Sequence, residues 1–330
     1  MRKTTIVVTN MTTPTTFLPL APAPLASSQP SASSTVLSPA LSLKLVMVAL
    51  FWGGTFIAGR VVAQALPPMT AAFGRFLVAA ILLVLVAYRL EGGLPRLNRS
   101  QLLSTAGMGL TGIFFYNLCF FGALAHIPAG RTALFVSLTP VVTALLASLV
   151  FRERLGLQRW AGIGIALIGA LIVITRGDLA GAIRDISGSI GPGEMLMSLA
   201  VLNWAAYTLI SRKATESTSP IACTTYATLW GLAFISLGAV GEFGSVPWSS
   251  LGWQVWSAIF YLGALGTVVA FIWYQQGIRA VGPSRTAVFT NLVPVFGVLL
   301  SAGLLGEDLL VSMLFGGVAC AIGVLLVNRK

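Results

Sequence analysis

Charge is what this sequence has least of: Asp, Glu, Lys and Arg make up 9% of its 330 residues, against roughly a quarter in a soluble domain. A chain so poor in charge cannot cover a fold that faces water, so a soluble globular protein is excluded. The single histidine, His126, and three scattered cysteines exclude a His/Cys metal cluster, and no cofactor motif is found, so neither metal nor cofactor is expected. Cys119, Cys223 and Cys320 have no paired or ligand spacing and read as packing residues inside apolar segments. All nine acidic residues fall between the apolar segments or at their ends. That leaves no carboxylate pair at mid-segment, which argues against an embedded acid–base enzyme and against a conventional proton relay. Uniport, or coupling through groups at the segment ends, stays open.

What is abundant is apolar sequence, 56% of residues, in runs as long as a bilayer is thick. The fold class expected is an all-α integral membrane protein with ten transmembrane helices, at 43–62, 70–88, 103–124, 131–150, 159–174, 195–211, 220–240, 255–276, 285–304 and 310–327. Residues 1–42 are rich in Ser, Thr, Pro and Ala and read as a disordered tail. A signal peptide, whose apolar core would be broken by Pro19, Pro22 and Pro24, and a later start such as Met11 are the other readings. The Gly-rich segment 175–194 reads as a linker between residues 43–174 and 195–327.

The formal charge of +11 does not point to nucleic acid, because the basic residues lie between the spans; the implied partner is the lipid bilayer. With a cytoplasmic N-terminus, fifteen Lys and Arg fall on the inner side, four (Arg60, Arg131, Arg176 and Arg184) on the outer side, and Arg75 inside a span. This bias predicts that both termini lie in the cytoplasm; the expected location is the plasma membrane, the bacterial inner membrane.

The two halves repeat. At an offset of 154, residues 131–173 align with 285–327 without a gap, matching Arg131, Thr132, Ala133, Phe135, Leu138 and Pro140 to Arg285, Thr286, Ala287, Phe289, Leu292 and Pro294. Glu153, Gly162 and Gly169 likewise meet Glu307, Gly316 and Gly323, and at an offset of 152 Trp52 and Arg60 meet Trp204 and Arg212. Five helices per half make the repeat inverted, the recurrent plan of carriers that alternate access between two faces. A scaffold, receptor or channel-like subunit is the competing class.

The paired helix-one Trp, the "GRF" of Gly74–Phe76, the blocks "RTALFVSLTP" and "RTAVFTNLVP", the Glu after helices four and nine, and the closing "WAGIGIALIGALIVI" and "LFGGVACAIGVLLV" helices resemble the EamA-type branch of the drug/metabolite transporter superfamily. The resemblance spans residues 43–327 and implies a ten-helix exporter of amino acids, their derivatives or other small metabolites, with a central cavity between the halves; the sequence gives no sign of an obligate protein partner.

The cavity candidates are the polar and aromatic residues deepest in the spans: Trp52, Arg75, Tyr116, Asn117, Ser137, Asn203, Trp204, Tyr207, Thr267 and Asn291. Buried amides are costly against lipid and are expected to face inward, where they serve either as interhelical glue or as solute contacts. Arg75 has two readings, a clamp for a solute carboxylate or a structural cation bound to carbonyls. Pro140 and Pro294 are candidate hinges, since proline frees the carbonyl four residues earlier; a kink that only improves packing is the alternative. Glu153 and Glu307 are expected to pair with basic residues at helix ends. Small residues four apart, Gly162, Ala166 and Ala170 with Gly317 and Ala321, suggest a close helix crossing.

Overall fold

The computed structural model describes residues 38–151, 156–175, 191–281, 289–290 and 292–328, which are helical apart from short connections. The helices in chain order are α1 (Pro39–Ala65), α2 (Pro68–Glu91), α3 (Arg99–Met108), α4 (Tyr116–His126), α5 (Ala129–Val136), α6 (Thr139–Phe151) and α7 (Leu157–Ile174). The second half supplies α8 (Pro192–Ala214), α9 (Pro220–Glu242), α10 (Trp253–Gly263), α11 (Ala270–Val281), α12 (Leu292–Leu305) and α13 (Val311–Asn328). Six described helical stretches are long and apolar enough to cross a bilayer: Pro39–Ala65, Pro68–Glu91, Arg99–His126, Pro192–Ser211, Pro220–Ser245 and Trp253–Tyr274. Trp160–Gly169, Leu292–Leu305 and Val311–Gly323 are shorter apolar helices.

Helix α1 starts at Pro39, four residues before the expected boundary, because Ser38 accepts the Leu41 N–H at 3.2 Å and proline takes the first turn. The helix expected over 131–150 is instead two. After Val136 the amides of Ser137 and Leu138 reach back only three residues, to Leu134 (3.1 Å) and Phe135 (3.0 Å), and α-type bonding resumes at Val142 N–H to Leu138. Pro140 explains the break, since it has no N–H to give the Val136 carbonyl.

Two π-helical turns, Gly109–Phe115 between α3 and α4 and Ala264–Val269 between α10 and α11, were not legible in the sequence. They occupy corresponding places in the two halves. A Cβ on Gly109 would come within 2.8 Å of the Ala227 carbonyl oxygen and 2.7 Å of the Trp230 Cβ; one on Gly263 would come within 2.8 Å of the Arg75 carbonyl oxygen and 2.7 Å of the Val78 Cβ. Likewise Gly112 lies against Tyr207 of α8, and Gly266 against Thr55 of α1. Each contact is the other's partner under exchange of the halves.

The helix packing obeys the same exchange. Helix α1 packs on α10, α11 and α12, while α8 packs on α3, α4 and α6; α2 packs on α9, and α7 on α13. The last two pairs are antiparallel. Glu242 at the end of α9 accepts the Thr70 N–H (2.8 Å) and hydroxyl (3.0 Å) at the start of α2, and Glu91 at the end of α2 accepts the hydroxyl of Ser219 (2.7 Å), the N-cap of α9.

In the α7–α13 seam, Gly169 faces the Gly316 carbonyl and Cys320, and Gly323 faces the Gly162 carbonyl and Ala166. The expected stripe of Gly317 and Ala321 lies on a different face, with Gly317 against Leu134. The seam uses the repeat-related trio 162/316, 166/320 and 169/323, because those positions are small on both helices at once.

Glu307, at one span end, meets backbone amides: it accepts the N–H of Ala129 at 2.8 Å and of Gly130 at 3.0 Å, at the start of α5. Glu153 lies outside the described residues. A carboxylate at a helix N-terminus answers orphan donors and the helix dipole together. Glu242→Ala is therefore expected to cost about 1–2 kcal/mol, read as a lowered thermal midpoint that Glu242→Gln restores in part.

Candidate functional site

Between the halves lies a cavity of about 1080 Å³. Its floor, toward the end of the bundle capped by Glu242 and Glu307, is made by Phe56, Phe76, Phe120 and Val201, and its wall runs to Thr215 and Pro220 at the opposite end. Beyond the floor the halves are held by polar links. Arg131 of the first half meets Glu194 at the start of the second at 2.8 Å, both side chains at most 5% exposed, while within the first half the Arg60 guanidinium binds the carbonyls of Leu124 and Ile127.

An aromatic band crosses the cavity from half to half. Trp52 lies 5.2 Å from Tyr274 and 5.7 Å from Phe271, and Trp204 lies 6.4 Å from Phe271, 5.0 Å from Tyr116 and 5.1 Å from Tyr207, centroid to centroid. The Trp52 ring N–H donates to the Gly266 carbonyl at 3.1 Å, a group inside the second π-helical turn. That bond fixes the indole in an otherwise apolar wall.

The polar center of the cavity is Arg75, 8% exposed. Its Nη1 donates to Asn117 Oδ1 at 3.0 Å, and Nε and Nη2 both donate to Thr267 Oγ1 at 3.3 Å. The Phe76 ring covers the cation at 5.1 Å. Asn117 and Thr267 are themselves held by their own helices: Asn117 Nδ2 donates to the Ile113 carbonyl in the first π-helical turn at 2.8 Å, and Thr267 Oγ1, within the second, donates to the Leu262 carbonyl of α10 at 2.8 Å. The widened turns thus aim two neutral oxygens at one guanidinium.

Of the residues named from sequence, Trp52, Arg75, Tyr116, Asn117, Ser137, Trp204, Tyr207, Thr267 and Pro294 lie on this one wall. Asn203 does not: its amide donates to the Leu199 carbonyl one turn back on α8, at 2.9 Å, and that bond lets it stand away from the cavity at little cost. Asn291 lies outside the described residues. Pro140 sits in the first turn of α6, just past the break described above. Phe271 and Tyr274 also line the cavity and were missed, because the π-helical turn that precedes them is not legible in the sequence.

The profile of the EamA-like transporter family matches residues 41–175 and again 191–329. The chain belongs to the EamA-like transporter family. Relatives include the uncharacterized transporter YyaM of Bacillus subtilis, 30% identical over 86% of this chain and 92% of its own length. The uncharacterized inner membrane transporter YedA of Escherichia coli K12 is 27% identical, with 79% of this chain and 81% of its own length covered. A probable terminal-alkyne amino-acid exporter of Streptantibioticus cattleyicolor is 26% identical, with 87% and 92% covered. A solved crystal structure shares the fold with a TM-score of 0.57 and 20% identity, over 87% of this chain and 96% of that one. The EamA-like protein is accordingly an integral membrane transporter built of two repeats, and not an enzyme.

Proposed function

We propose that this EamA-like transporter carries small organic metabolites, amino acids or their derivatives with an aromatic or amphipathic body, out of the cell by alternating access. The observation that carries the reading is the cavity at the junction of two halves whose packing contacts are interchangeable. If each half can adopt the other's conformation, the floor at the capped end opens as the wall at Thr215 and Pro220 closes. The break at Ser137–Leu138, beside Pro140 and facing the cavity, is a ready hinge for that exchange.

In this reading the chain crosses the bilayer ten times, its repeats inverted, with both termini in the cytoplasm of a bacterial inner membrane and the cavity facing the cytoplasm. The excess of Lys and Arg on that side supports the orientation. The aromatic band and the Arg75 group are the solute contacts, Pro140 and Pro294 the hinges, and a small molecule the partner.

Counterflow in liposomes tests the proposal. Vesicles holding purified protein and preloaded with an unlabelled aromatic amino-acid derivative are expected to accumulate the labelled compound transiently and saturably. Linear, non-saturable entry, or entry unaffected by preloading, contradicts a carrier.

A further inference from the structure

Arg75 brings a full positive charge into the protein's interior and meets no carboxylate among the described residues. A guanidinium has five N–H donors. Three are used on the neutral oxygens of Asn117 and Thr267, and two are left beside the cavity. A buried cation in this state is costly, and a mobile anion relieves the cost whenever it binds.

The architecture does not require the arginine. Its place in the first half is filled in the second by Ala227. The two residues lie 152 apart, and their carbonyl oxygens stand at the same 2.8 Å from the Cβ positions of Gly263 and Gly109. The same helix crossing is thus made once with arginine and once with alanine. Its partners break the symmetry too: Asn117 corresponds to Phe271, and Thr267 to Ile113, each pair 154 apart. A symmetric frame holds an asymmetric polar trio, which is what solute recognition needs and packing does not.

The rest of the wall bears on the solute's other groups. No Asp or Glu lines the cavity among the described residues, so an ammonium group would find no countercharge there. Aromatic faces offer it only a weak cation–π attraction, in a field set by Arg75. Apolar bodies suit the band of Trp52, Phe271 and Trp204.

Resting on the carrier reading above, we infer that the solute is an organic monoanion: a carboxylate on an aromatic or branched apolar body, with its amino group absent or blocked, bound by Arg75 through the two remaining N–H groups. N-acylated amino acids and 2-oxo acids have this chemistry, whereas free amino acids carry an ammonium that the cavity does not answer.

The test uses N-acetylphenylalanine, phenylpyruvate, phenylalanine, phenethylamine and phenylacetamide, in counterflow with the full chain in liposomes and in ligand-induced thermal shift of the purified protein. The two acids are expected to bind and exchange about tenfold or more better than the other three, the worth of one charge-assisted contact. Arg75→Gln is expected to erase that preference and Arg75→Lys to keep part of it; cooperative thermal unfolding without ligand shows that the variants are folded. Preferred binding of phenylalanine or phenethylamine, no binding of either acid, or an acid preference that survives in Arg75→Gln overturns the inference. Binding of the acids without exchange overturns the carrier reading alone.

Discussion

Arg131→Met is expected to destabilize the fold by about 3–5 kcal/mol, because it leaves the Glu194 carboxylate buried without its cation. The pair joins the start of α5 to the start of α8, the first helix of the other half, and Glu194 also accepts the Gly191 N–H at 3.0 Å. That second bond explains why the partner variants should not mirror each other. Glu194→Gln keeps an acceptor for Gly191 and removes the charge, whereas Arg131→Met strands a carboxylate in the protein. The double variant is therefore expected to be more stable than Arg131→Met alone. Unfolding equilibria of the four proteins in bicelles give the coupling, and a coupling energy near zero would mean that the pair does not hold the halves together.

The second large effect is at the α7–α13 seam. A Cβ on Gly169 would lie 2.6 Å from the Gly316 carbonyl oxygen and 2.7 Å from the Cys320 nitrogen, and one on Gly323 would lie 2.5 Å from the Gly162 carbonyl oxygen. These neighbors are backbone, so the helices themselves must separate. Gly169→Leu and Gly323→Leu are each expected to cost about 3 kcal/mol or more, at the upper end for overpacked cores. Gly164 has nothing within 4 Å of its Cβ position, and Gly164→Ala is expected to be neutral or to gain up to about 1 kcal/mol in helix propensity. Thermal midpoints compared across the three variants check the ordering, and equal values would remove the seam from the account.

The seam also shows what was readable in advance. Gly162, Gly169, Gly316 and Gly323 stood out in the repeat alignment, yet small residues at 317 and 321 suggested a neighboring face, because spacing along one helix does not say which stripe has a small partner opposite. Trp52, Arg75, Asn117, Trp204 and Thr267 were legible as cavity residues because a polar or amphipathic side chain deep in an apolar span has few other places to go. Asn203 obeyed the same premise and stood apart, since a carbonyl one turn back satisfied it. The π-helical turns stayed hidden because one extra residue in a helix hardly alters hydrophobic periodicity. Their effect is large all the same: they turn Asn117 and Thr267 toward Arg75. The capping role of Glu242 and Glu307 was equally out of reach, since it depends on which helix start lies opposite.

In the proposed cycle the two halves exchange conformations, so that one cavity faces each side of the membrane in turn. Ser137 lies on the cavity wall at the helix break, and a cysteine there, in a chain whose Cys119, Cys223 and Cys320 are replaced by alanine, reports that exchange. Membrane-impermeant maleimide is added outside the liposomes or trapped within them, with orientation scored separately. Position 137 is expected to react from both sides, with a transported solute speeding one rate as it slows the other. Reaction from a single side under every condition, or from neither, would contradict the cycle.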